Sequence, residues 1–341
     1  MRVTRESLIR IARETVQERV FNDKDVMAAY LTGSLVGEAD PMLGGTADID
    51  LILVHASTPM LKRELVKLTP DFHLDIGHRA RAEFKSPREM RGDPWLGYEM
   101  FAPMLLYERE KFFDFVQAAL RAGNEFEGPE MTLQRCRKLY NHGRQIWIDL
   151  SDADEQAGPV QAAQYFKSLF HAANVIAELS GPPIQERRLL LDFPTRAEAA
   201  GRPNLTAGLF GLVGAGGLDA ETISAWLPAW RESFMAASGN AKVDGRIHPT
   251  RLNYYEKAIR AMLGSDHPSA ALWPLMQTWS LAAKVLPGEQ LGPWREACSA
   301  LGLAGAGFIE RVEGLDHYLD ELDILLDELA AANGLETFTT M

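Results

Sequence analysis

AAYLTGSLVGEADPMLGGTADIDLILVH, residues 28–55, reads as two apolar runs joined by a turn and a loop. The first run, residues 26–31, stops at Gly33-Ser34. Asp48-Ile49-Asp50 opens the second, which continues as Leu51-Ile52-Leu53-Val54. A short run that is nearly all apolar suits a central strand. Alternation along a strand puts Asp48 and Asp50 on one face, about 6–7 Å apart. Two carboxylates that close repel, and are costly to desolvate unless a cation lies between them. Mg²⁺ is the simplest occupant, since it takes one or two carboxylates together with phosphate oxygens. The Gly-Ser turn offers backbone N–H groups with no side chain in the way, which suits a phosphate.

Further along, FHLDIGHR carries Asp75 between apolar Leu74 and Ile76, so its side chain points away from theirs. APMLLYERE reads as a closing apolar strand. The ordered set resembles the DNA polymerase β-type nucleotidyltransferase superfamily. There a Gly-Ser pair follows the first strand, Asp-x-Asp begins the next, and a third carboxylate lies on a later strand. The resemblance spans residues 1–125. Two features depart from the pattern: a longer loop with Gly44-Gly45 between Ser34 and Asp48, and Leu35-Val36 where a basic residue often stands.

The resemblance implies roles residue by residue. Asp48, Asp50 and Asp75 would be the catalytic carboxylates and the ligands of Mg²⁺, with Mn²⁺ as a substitute. Asp75 would also take the proton of the attacking hydroxyl; Asp71 and Glu83 are the next candidates. Gly33 and Ser34 would hold the β- and γ-phosphates. A triphosphate also needs protein cations. Lys167 in QYFKSLFHAA, near Tyr165 and His171, is one candidate, with Lys138, Arg144 and Arg251 as equal rivals.

The 341 residues suffice for two domains, and 46% hydrophobic with 24% charged residues is ordinary for a folded, soluble chain. The net charge of −12 argues against a long nucleic-acid substrate and suits a small or cationic one. Cys136 and Cys298 lie far apart without metal-type spacing, which points to free thiols in a reducing cytoplasm. MRVTRESLIRIARE reads as an amphipathic helix and not a secretory signal, and no run is long and apolar enough for a membrane span.

The expected fold is α+β: a small mixed-sheet nucleotidyltransferase domain over residues 1–125, followed by an all-helical substrate-binding domain over residues 130–341. A helix follows the N-cap Thr4; strands follow at residues 26–31 and 48–54. TPMLKRELVKL reads as a helix, FHLDIGHR and PMLLYER as the remaining strands, and EKFFDFVQAALRAG as a helix. The order αββαβ…β gives a sheet with helices on one face. Residues 125–129 read as the linker. Beyond it, helical periodicity dominates, and LTAGLFGLVGAGGL fits either a loop or a tightly packed helix. The last helix, rich in Leu, Asp and Glu, reads as a solvated acidic face, with a bundle or dimer contact as the alternative.

The expected reaction moves a nucleoside monophosphate, most simply AMP from ATP, to a hydroxyl of a small molecule and releases pyrophosphate. The architecture is similar to that of aminoglycoside and lincosamide (antibiotic) nucleotidyltransferases. Three alternatives stand beside it. One is an antitoxin-type enzyme that adds AMP to a partner protein, and another a non-enzymatic nucleotide-binding module. The third is RNA cleavage through Arg137 and His142, which fit Arg-x4-His, although five residues span about 500° of helix and put the two on different faces. The sequence leaves the base, the acceptor and the oligomeric state open.

Overall fold

The computed structural model describes residues 3–37, 40–84, 86–151 and 157–336. The chain divides into two compact units, Met1–Met131 and Thr132–Met341.

The first unit begins with α1 (Arg5–Asn22), set by a capping box in which Ser7 N–H donates to Thr4 Oγ1 and Thr4 N–H donates to Ser7 Oγ. Strands β1 (Val26–Leu31), β2 (Ala47–His55), β3 (Arg63–Lys67) and β4 (Phe72–Ala80) follow. Then come α2 (Pro87–Arg91), α3 (Leu96–Phe101), β5 (Met104–Glu108) and α4 (Phe112–Arg121). The sheet order is β3-β4-β2-β1-β5. The β2–β4 pair is parallel, and the other pairs are antiparallel.

The stretch read as a helix, residues 58–68, contains no helix and carries the edge strand β3 at Arg63–Lys67. Its apolar spacing fitted both periods, and the neighbouring chain decides between them. Thr69-Pro70-Asp71 folds β3 back on β4, with the Asp71 and Phe72 N–H groups donating to Thr69 Oγ1. Hairpin pairing then satisfies the outer edge of β4. The sheet therefore has five strands, and the connection between its two parallel strands runs through β3.

Helices cover both faces of the sheet, not one. Leu8, Ala12 and Val16 of α1 pack on Ile49, Leu51, Leu53 and Ile76. On the other face α2, α3 and α4 place Met90, Met100, Phe113 and Val116 against Tyr30 and Val54. These helices cover only one end of that second face: Asp50 and Ile52 remain half-buried. Of the residues read as a linker, Phe126 is buried in this core and stacks on Phe101 with 4.2 Å between ring centres, while Glu125, Glu127 and Pro129 are exposed.

Among its described residues the second unit contains helices and turns: α5 (Pro129–Leu150), α6 (Pro159–Glu178), α7 (Leu189–Ala199), α8 (Asn204–Val213), α9 (Ala220–Ala225), α10 (Leu227–Ser238), α11 (Leu252–Leu263), α12 (Leu272–Ala283), α13 (Gly292–Ala300) and α14 (Ala306–Ala332). Every residue of α12 is buried, which makes it the centre of this unit. The glycine-rich piece is helical as far as Val213 in α8, where the missing side chain of Gly208 lets Tyr318 of α14 approach closely, and a turn from Gly214 on. The acidic face of α14 is not simply solvated: Asp323 and Asp327 hold Arg137, while Asp316 and Asp320 hold Arg144. Among the described residues no helix is long and apolar enough to cross a membrane.

Candidate functional site

Parallel pairing of β2 with β4 sets Asp48 opposite His73 and Asp50 opposite Asp75. Alternation then puts all four side chains on the face that the helices leave open. Asp48, His73 and Asp75 are buried, at 6%, 1% and 3% exposure. One ligand atom from each lies within 4.8 Å of the other two, so the three could hold a metal ion. Asp50 flanks them, half-buried. Asp48 Oδ1 is buried without a hydrogen-bond partner among the described residues. Burying an anionic oxygen unpaired is costly, so this atom is suited to ligating a cation.

The Gly-Ser turn stands beside these acids. Thr32 N–H donates to the Asp50 carbonyl at 3.0 Å, which fixes the start of the turn against β2. Gly33 has φ of 72°, a left-handed conformation that favours glycine. Val36 N–H closes the turn on the Gly33 carbonyl. Ser34 Oγ is buried and has no hydrogen-bond partner among the described residues.

An open cleft of about 560 Å³ runs from Asp50 and Asp75 past Gly77 toward Arg79 and Glu99. Gly77 keeps its floor low, because a Cβ there would meet Ile52 Cδ1 at 2.7 Å. Lys62 and Arg63 stand on its β3 wall. Arg63 clamps both carboxylate oxygens of Asp75 through Nε and Nη2. Lys62 is exposed and has no ion pair among the described residues. At the far end, Glu99 receives Arg79 Nε at 2.7 Å and the Tyr30 hydroxyl at 2.6 Å. Burial and the Glu99 charge push the Tyr30 hydroxyl well above its ordinary range, so it remains a donor.

The fold thus brings Gly33, Ser34, Asp48, Asp50 and Asp75 together in the first unit. Lys167 belongs to the second unit, exposed on α6. Of its rivals, Arg144 is held by Asp316 and Asp320, Arg251 is buried, and Lys138 is half-buried on α5. Glu83 holds Arg79 and accepts the Ala80 N–H, and Asp71 lies in the β3–β4 turn. Arg137 is anchored to α14, whereas His142 is exposed, with its ring 5.3 Å from that of His171.

Two residues escaped the sequence reading. His73 carried a usable signal, standing two before Asp75 and hence on the same strand face. Arg63 carries none, because the apolar spacing of residues 58–68 fits a helix.

The chain matches no protein-family model and no curated protein sequence.

Proposed function

We propose that the chain is a metal-dependent nucleotidyltransferase of the DNA polymerase β type that moves a nucleoside monophosphate to a hydroxyl. The observation that carries this reading is the set of three carboxylates on one open face of two adjacent parallel strands, beside a Gly-Ser turn. Asp48, Asp50 and Asp75 would hold Mg²⁺ or Mn²⁺, and the His73 imidazole makes the donor set hospitable to Mn²⁺. The metal supplies positive charge at the reacting phosphate.

The chain's own residues do the rest. The backbone N–H groups of the turn and the Ser34 hydroxyl donate to the terminal phosphates. Lys62 and Arg63 add cations along the cleft wall. Asp75 accepts the proton as the acceptor oxygen bonds to the α-phosphorus and the bond to pyrophosphate breaks. The acidic chain favours a cationic small molecule as acceptor over a long polyanion.

The test incubates the protein and Mg²⁺ with ATP labelled at the α-phosphate, beside cell extract and a panel of cationic hydroxylated small molecules. Label on a small molecule, with pyrophosphate released, is the expected result. Label on protein bands would move the acceptor to a partner protein. Triphosphate binding without any transfer would favour a non-enzymatic nucleotide-binding module.

A further inference from the structure

Asp75 is almost fully buried, yet its carboxylate is gripped by a residue that is largely in solvent: the Arg63 side chain is 54% exposed, against 3% for that of Asp75. The guanidinium occupies both oxygens of a carboxylate that also belongs to the Asp48–His73–Asp75 group. A divalent ion on the same oxygens would stand at contact range from the guanidinium, and two cations there repel. A buried carboxylate is costly without a compensating cation, and Arg63 supplies that charge here. Arg63 sits on an edge strand, already lines the cleft beside Lys62, and can turn into that cleft without leaving water. A guanidinium matches phosphate oxygens as well as it matches a carboxylate.

We propose that Arg63 is the resting counter-ion of Asp75 and exchanges it for the phosphates of an incoming nucleoside triphosphate. This rests on the nucleotidyltransferase reading and adds regulation to that site. With Arg63 on Asp75, the metal binds weakly. With Arg63 on phosphate, Asp75 is released to the metal. Metal and triphosphate then strengthen each other's binding by equal factors.

The test titrates the full chain with MnCl₂ in the absence of nucleotide, by calorimetry and by Mn²⁺ spin resonance, beside Arg63→Gln and Arg63→Lys. The expected result is Mn²⁺ binding roughly ten- to a hundredfold tighter in Arg63→Gln, the factor that breaking a charge-assisted clamp represents. Arg63→Lys should fall between, because one ammonium cannot span both oxygens. At saturating Mn²⁺, Arg63→Gln should in turn bind ATP more weakly than the natural chain. Should Arg63→Gln not fold, the comparison of Arg63→Lys with the natural chain carries the same sign. Equal or weaker Mn²⁺ binding in the variants, with ATP binding intact in the natural chain, overturns the exchange and leaves the nucleotidyltransferase reading standing. No Mn²⁺ binding by any of the three removes both.

Discussion

Asp48 illustrates how a residue suited to a ligand is ill suited to the fold alone. It is buried beside Asp75 and half-buried Asp50, with one oxygen unpartnered among the described residues. Clustered carboxylates repel, and removing one charge without changing its shape relieves that repulsion. Asp48→Asn should therefore raise the metal-free melting temperature slightly, while weakening Mn²⁺ binding at least about tenfold. Thermal melts with and without Mn²⁺ check both halves; a lower metal-free midpoint with metal binding unchanged would make Asp48 an ordinary structural residue. Gly33 carries a complementary demand. Its φ of 72° disfavours any L side chain, so Gly33→Ala should cost about 1–2 kcal/mol, read by urea unfolding.

At the scale of elements, the second unit depends on contacts that periodicity alone does not reveal. Gly214 ends α8 with φ of 83°, and a Cβ there would clash with the Leu301 carbonyl. Gly214→Ala combines both penalties and should destabilise by about 2–4 kcal/mol in urea unfolding. On α6, burial and then the neighbouring His142 and Lys167 charges push His171 down to about 4. The unfolded imidazole titrates near 6.5, so below that pH the unfolded chain takes a proton that the folded chain refuses. This contribution, about 3 kcal/mol, is complete above pH 6.5 and is lost as pH falls toward 4. Burial lowers His55 as well, which adds in the same direction. Denaturant midpoints between pH 7.5 and 4.5 should fall, and His171→Asn should flatten that fall.

The elements differ in how plainly the sequence announced them. The runs at 26–31 and 48–54 were readable because central strands are apolar on both faces, and the acids at 48, 50 and 75 stood out against that background. β3 was not readable. It is an edge strand with charged ends, and it is defined by pairing with β4 rather than by its own pattern. Its loss hid Arg63. The covering of both faces was also illegible, since a helix's periodicity shows that it has a buried side but not which face of a sheet receives it. For α14, composition gave the acids, and only pairing with Arg137 and Arg144 of α5 gave them a task.

For the whole molecule, charge narrows the range of partners. A chain with 47 acidic and 35 basic residues lacks the surplus of cations that holds a phosphate backbone. Fluorescence anisotropy at about 0.15 M salt should show no retention of duplex DNA or RNA. The central claim is tested most directly by calorimetric titration of the full chain with ATP, GTP, CTP and UTP, with and without Mg²⁺, beside an Asp48→Asn/Asp50→Asn double variant. Binding of at least one triphosphate that requires Mg²⁺ and is lost in the double variant is the expected result. Binding that ignores the metal, or survives loss of both carboxylates, would contradict it.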